Sequence, residues 1–302
     1  METLVKLNPL PHDLWVYLSI DIAITLLLLL VVRWVSGRVS DINVTEELGS
    51  RDNFAFGISV AGRMLSLLIV LGAVVGRHAG EGYEEAALGM VVFGLISIVL
   101  VKFGRFAHDK LVLHRVDTDA MIQDKNVSIA LVDAASAIAS AIILRSMLVW
   151  VEGTDLNAIV AVFSGFSVVL VVQLMITRLY EMRFASDNQN DSLQKILGKG
   201  QIALAIEHAG SLLGTALVVS SGASILSYDP HTYVSNLTGW LFTSFSLALG
   251  LFITVNVAKR IVLAGIDWRQ EVDQQHNIGV AAIQFILSVG VALIVLGVLS
   301  HI

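Results

Sequence analysis

Apolar and polar positions along the chain alternate on the scale of a membrane rather than of a single helix face. Eight apolar runs, at 14–35, 53–76, 86–106, 126–151, 156–179, 200–226, 235–258 and 277–300, are separated only by short polar segments. Each is long enough to cross a hydrocarbon core, which takes about 20 residues of α-helix. The pattern predicts an all-α fold, a polytopic membrane bundle of eight transmembrane helices. The intervening segments differ in character. Residues 36–52 and 180–199 are polar loops of similar make-up, and 152–155 is a tiny link. Residues 107–125 are charged, and their Leu111, Val112, Val116 and Met121 predict a short interfacial helix.

Within four of the runs one polar residue interrupts the apolar pattern at the same depth. These are Ser59, Asp133, Glu207 and Gln284, each seven residues after Asp52, Asn126, Gly200 and Asn277. Ser59 and Glu207 are 148 residues apart and Asp133 and Gln284 are 151 apart, so the chain reads as two four-helix halves, 1–151 and 152–302. An even number of spans per half makes the halves parallel repeats about an axis along the membrane normal. A two-helix unit also recurs within each half, at 74 residues (Ser59 to Asp133) and 77 (Glu207 to Gln284). The pairs Ala61-Gly62 and Ala209-Gly210 repeat with it.

Charge then gives orientation. Arg33, Arg38 and Arg51 follow the first run, and Lys102, Arg105, Lys110, Arg115 and Lys125 the third. Arg178, Arg183, Lys195 and Lys199 follow the fifth, and Lys259, Arg260 and Arg269 the seventh; only Lys6 and Arg77 fall on the other side. Lysine and arginine concentrate on cytoplasmic loops, which predicts that both termini lie on the periplasmic side. Residues 1–13 carry no basic stretch ahead of an apolar core, so a cleavable signal peptide is not expected.

Ionisable residues inside the runs are the candidate chemistry. Each costs about 2.5–3.5 kcal/mol near a helix centre on insertion scales. Asp133 and Glu207 lie roughly 10 Å inside their helices and Arg63 one turn beyond Ser59, so Arg63 is expected to pair with Asp133, Glu207 or both. The layer has two readings. One is an ion pair that fixes helix register; the other is an ion, proton or cationic-substrate site in which a carboxylate titrates or coordinates. Asp21 and Arg145 lie at matching depth and form a candidate outer-leaflet pair, with snorkelling of Arg145 to headgroups the alternative. His208, about 100° around the helix from Glu207, reads as a satisfied polar residue rather than a ligand. Ala130, Ala134, Ala137 and Ala141, with Gly72/Gly76 and Gly210/Gly214, predict close helix packing.

Composition narrows the function classes. Only 15% of residues are charged, against about 25% in a soluble domain. Net charge is −6 and the basic residues are not clustered, which excludes a nucleic-acid surface. The absence of cysteine excludes disulfides, thiol catalysis and zinc–thiolate sites. No H-E-x-x-H, P-loop, G-x-S-x-G or dinucleotide glycine fingerprint is present, so no enzyme activity, metal or cofactor is expected. None of the three prolines falls inside a run, which removes the easiest route to the broken helices of many transporters.

The run Asn126-Val-Ser-Ile-Ala-Leu-Val-Asp133-Ala134, with Asn277-Ile-Gly-Val-Ala-Ala-Ile-Gln284 and Ile206-Glu-His-Ala-Gly210, resembles the YjfL-like family of bacterial inner-membrane proteins, which are built on a four-span domain of unknown function. The resemblance implies two tandem copies in a bacterial inner membrane. It also implies an acidic position at Asp133 and Glu207, from which Ser59 and Gln284 depart, and it brings polyamines in as one class of cationic solute. Two functional expectations stand. The first is a channel or transporter for a cation, proton or small cationic solute along the polar layer. The second is a scaffold or accessory subunit that docks a cytoplasmic protein through 107–125 and 180–199. Under either, the lipid bilayer is a partner and a homo-oligomer is open.

Overall fold

The computed structural model describes residues 12–39, 42–77, 82–153 and 155–301. Lys6 and most of the 1–13 segment lie outside these, as does the side chain of Arg77, so the signal-peptide expectation and the two cations on the far side fall outside the described residues. In chain order the helices are α1 (Leu14–Val39), α2 (Phe54–Arg77), α3 (Tyr83–Leu111), α4 (Thr118–Gln123), α5 (Val127–Trp150), α6 (Leu156–Asp187), α7 (Leu193–Gly198), α8 (Ile202–Ser220), α9 (Gly222–Ile225), α10 (Tyr233–Val262), α11 (Trp268–Asp273) and α12 (Ile278–Leu299). A single π-helical turn, Glu46–Ser50, precedes α2. Eight of the helices are long and apolar enough to cross a bilayer. The protein is a multi-pass membrane bundle, and the described residues contain no strand.

Four helices outrun their apolar segments by a turn or more: α1 continues to Val39, α3 to Leu111, α6 to Asp187 and α10 to Val262. The predicted interfacial helix over 107–125 is therefore the end of α3, a turn, and the short α4. Val112 and Leu113 at that turn are fully buried, while Leu111 stays half exposed.

The long helices form two layers. The inner row runs α2, α5, α8, α12, each packed against the next. The outer row is α1, α3, α6 and α10: α3 lies over α2 and α5, α6 over α5 and α8, and α10 over α8 and α12, while α1 rests on α2 and α3. The inner rows approach closely where the repeat places glycine. A Cβ on Gly62 would sit 2.5 Å from that of Ala134, and one on Gly210 2.6 Å from the Phe285 Cα. Such contact is the means by which helices associate in lipid, where apolar burial gives no extra drive.

The two-helix unit repeats four times in the details of its turns. Asp52, Lys125, Gly200 and His276, the residues ahead of each inner helix, all take left-handed φ, at 47°, 63°, 88° and 58°. Three of the four are not glycine, so the shape is imposed by the turn itself rather than by a permissive residue. The next residue is an amide in every unit: Asn53, Asn126, Gln201 and Asn277. The three asparagines cap their helices, accepting from Phe56, Ile129 and Val280 N–H at 3.0, 3.0 and 3.1 Å.

The first three of these amides also reach the following unit. Asn53 Nδ2 donates to the Ile122 and Gln123 carbonyls (3.1 and 3.2 Å), and Asn126 Nδ2 to those of Leu197 and Gly198 (3.4 and 2.8 Å). Gln201 Nε2 donates to Val272 and Asp273 (2.7 and 3.1 Å). These carbonyls end the short helices α4, α7 and α11, which leave their last carbonyls without intrahelical partners. One clamp thus joins unit to unit along the array.

Candidate functional site

All four residues of the polar layer sit near the end of the bundle that carries the short helices. Ser59, Asp133 and Gln284 are sealed from solvent, whereas the Glu207 side chain is 13% exposed. The two halves use the layer differently.

In the first half, Asp133 is enclosed by donors. Arg105 on α3 binds one carboxylate oxygen through Nε at 2.7 Å and again through Nη2, and the Ser59 hydroxyl donates to the other. Arg63 stands 3.6 Å from that second oxygen and donates to Ser59 Oγ at 3.0 Å. The expected Arg63–Asp133 pair exists, but Arg105 is the main partner. Two guanidiniums and a hydroxyl converge on one carboxylate that is only 1% exposed, which leaves little access for a solute.

In the second half, Glu207 has one cation, the Lys259 ammonium on α10 at 2.9 Å; the Tyr180 hydroxyl also hydrogen-bonds its carboxylate. Arg63 plays no part here, contrary to one of the expected pairings. Glu207 lines a cleft of ≈ 80 Å³ between α6, α8, α10, α11 and α12. Several waters fit such a space, since one needs about 10–15 Å³ of this measure. Ser211 and Thr215 continue from Glu207 along one face of α8, joined by Ser288 one turn beyond Gln284. The track from Glu207 to Thr215 is roughly 12 Å long at ~1.5 Å per residue.

The repeat explains the difference. The positions 148 residues before Ser211 and Thr215 hold Arg63 and Leu67. The matching space in the first half is a smaller cleft of ≈ 50 Å³ lined by Arg63, Leu67 and Arg105, with a guanidinium and a leucine where the second half has two small hydroxyls, and Asp133 is not among the residues that line it. Acid and neutral residue are also exchanged: Ser59 and Asp133 in the first half correspond to Glu207 and Gln284 in the second. Each half keeps one acid, one neutral partner and one base from its outer helix, Arg105 or Lys259.

The mouth of the cleft is charged. Arg269 and Arg183 reach Asp187 at 2.9 and 3.7 Å, Arg183 donates to Asn256 at 2.9 Å, and Asn188 donates to Asp273 at 2.7 Å. Burial pushes the Asp273 carboxyl up to about 6; the Asn188 hydrogen bond opposes the rise, the Glu207 and Asp187 charges add to it, and Arg269 opposes it.

The chain matches the family described as Domain of Unknown Function (DUF350) twice, over residues 7–148 and 154–299. It belongs to the DUF350 family. Its two tandem copies are the two halves seen in the fold, so each DUF350 copy carries one acid–base pair at the same level. No protein of curated function and no solved structure matches the chain.

Other sequence-derived candidates fare differently in this DUF350 protein. His208 is buried, but neither ring nitrogen has a hydrogen-bond partner, so it is not the satisfied residue expected. It stacks near Tyr180 (5.1 Å between ring centroids) and faces His108 across the halves at 6.0 Å; the His108 ring nitrogens are likewise buried without a hydrogen-bond partner. Gln284 donates weakly to the Trp268 carbonyl at 3.4 Å, and its Oε1 accepts nothing. Asp21 and Arg145 form no ion pair: α1 rests on α2 and α3, and Arg145 is an exposed side chain on α5. Segments 107–125 and 180–199 bury Ile122, Leu193 and Leu197, while Leu111 and Met182 stay exposed.

Arg105 and Lys259 were missed in the sequence because both lie among the charged residues at the ends of their runs. They are 154 residues apart, three to six residues off the 148–151-residue repeat, so the repeat spacing does not point to them directly.

Proposed function

We propose that this protein is a channel or transporter for a cation, a proton or a small cationic solute, and that its working site is the second-half cleft around Glu207. The observation that carries the reading is the replacement of Arg63 and Leu67 by Ser211 and Thr215, which leaves a partly exposed carboxylate on a hydroxyl-lined track. The Lys259 ammonium is then a built-in competitor. A solute cation or a proton that neutralises Glu207 releases Lys259, and departure of the solute lets the pair re-form. The Asp133 cluster, its carboxylate enclosed by Arg105, Arg63 and Ser59, fixes helix register. The short-helix end faces the cytoplasm and the termini the periplasm of a bacterial inner membrane, because loop lysines and arginines gather at that end.

The test is cation-dependent thermal stability of the purified protein, titrated with monovalent cations and with spermidine. A ligand that binds only the folded state stabilises it by RT ln(1 + [L]/Kd), about 2.7 kcal/mol at a hundredfold excess over Kd. Wild type should gain stability with at least one cation and Glu207→Gln with none. An undiminished gain in Glu207→Gln overturns the reading.

A further inference from the structure

The four units form an open array, and its two ends are unlike its middle. In the central inner helices α5 and α8, 78% and 67% of the most apolar stretch is buried, against 44% in α2 and 17% in α12; α1 has only 11%. Interior outer helices each bridge two inner helices, whereas α1 has one to rest on. The first unit lacks a predecessor and the fourth lacks a successor within these 302 residues.

Both ends keep the features that make interior contacts. On α12, Gly279, Gly290 and Gly297 share one face, and added Cβ atoms at the last two would meet nothing within 4 Å. The residues 151 positions earlier on α5 are Ser128, Ala139 and Ser146, all small and all buried. On α2, Ala61, Leu68 and Gly72 are exposed, while their counterparts 148 positions later on α8, Ala209, Ala216 and Ser220, are buried. The clamp is open at the same two places. Asn277 Nδ2 gives one hydrogen to Glu271 (2.8 Å), as Asn53 does to Glu47 (2.8 Å), but only Asn53 goes on to a following unit. At the other end the Gly49 and Ser50 carbonyls occupy the place of the carbonyls that receive Asn126 and Gln201, on a turn exposed to solvent.

We infer that a second copy of the chain continues the array, its α1 and α2 stacking on α12 of the first and its Glu46–Ser50 turn receiving the Asn277 amide. The contact is head-to-tail, so it joins two different surfaces and builds a ring where its rotation closes. In lipid, small residues and a polar clamp are what such an association requires, and both are supplied at registers the chain already uses three times. This inference is independent of the cation site.

The chain has no cysteine, so single substitutions give clean cross-links. Ser50→Cys and Gln275→Cys proteins, reconstituted together in nanodiscs and treated with a short bis-maleimide, should link to each other, and neither should link to itself. In parallel, native mass spectrometry of wild type should show more than one chain and Gly290→Trp a single chain. Because nothing lies over Gly290 in the single chain, this variant folds alone. Self-linking of either single variant would mean a two-fold dimer and overturn the head-to-tail contact. No linking in the mixture, with monomeric wild type, would mean that lipid covers α12 and would overturn it as well.

Discussion

Asp133→Asn is the sharpest perturbation of the first-half cluster. The carboxylate is 1% exposed and is the nearest counter-charge of two guanidiniums, Arg105 directly and Arg63 at 3.6 Å. Asparagine keeps the shape but removes that charge, leaving the more distant Asp109 and Asp119, and turns an amide donor toward donors. Breaking a buried pair by removing one partner costs about 3–5 kcal/mol. An unpaired arginine at a helix centre costs about 2.5–3.5 kcal/mol on insertion scales, and Arg105, less than two turns from the end of α3, recovers part of that by reaching toward water. The expected loss is therefore about 3–5 kcal/mol. Adding Arg105→Leu should recover at least ~1 kcal/mol, since it removes the orphaned charge. The assay is equilibrium unfolding in mixed micelles for wild type, each single variant and the double. A loss below ~1 kcal/mol for Asp133→Asn, or additivity of the two substitutions, would refute the view that this cluster is a lock.

Three further outcomes follow from the same geometry. Asp273, raised from 3.8 to about 6, holds its proton more tightly in the folded state, so its contribution to stability is fully present below about pH 4 and is lost as pH rises through 6. Asp273→Asn should therefore melt higher than wild type at pH 8 by about 1 kcal/mol, a two-unit gap discounted for partial exposure, and should show no gain at pH 4. Asn126→Ala removes both a helix cap and the clamp on Leu197 and Gly198, an expected loss of about 2–3 kcal/mol in the same unfolding assay, whereas Asn277→Ala should lose only about 1. Gly62→Leu and Gly210→Leu both force inner helices apart and should each lose at least 1–3 kcal/mol, while Gly72→Leu, with open space around it in the single chain, should be nearly neutral in micelles that separate the copies.

The fold was legible in the sequence because a membrane writes it plainly: an uninterrupted apolar run has few fates other than a span. The repeat was legible for a related reason, since a polar residue in such a run stands out, and Ser59, Asp133, Glu207 and Gln284 fell at one depth. Their partners were not. Arg105 and Lys259 lie among charged residues at helix ends, and only a neighbouring helix decides whether a cation there is solvated or buried. The same holds for His108 and Tyr180, which terminal or loop-like surroundings disguised. The unequal fates of the two acids were hidden too. They depend on Arg63 standing in the first half where Ser211 stands in the second, a comparison that carries meaning only once each is known to line its own half's cleft. The Asp21–Arg145 pairing failed because matching depth says nothing about which helices are neighbours.

The most direct test of the Glu207 site is flux through wild-type protein in liposomes, scanned over protons, monovalent cations and polyamines, beside Glu207→Gln and Ser211→Arg. The account predicts flux of at least one species in wild type, its loss in Glu207→Gln, and its loss in Ser211→Arg, which places in the second-half cleft the guanidinium that stands at that position in the first half. Flux that survives both substitutions, or its absence for every species in folded wild-type protein, would contradict it.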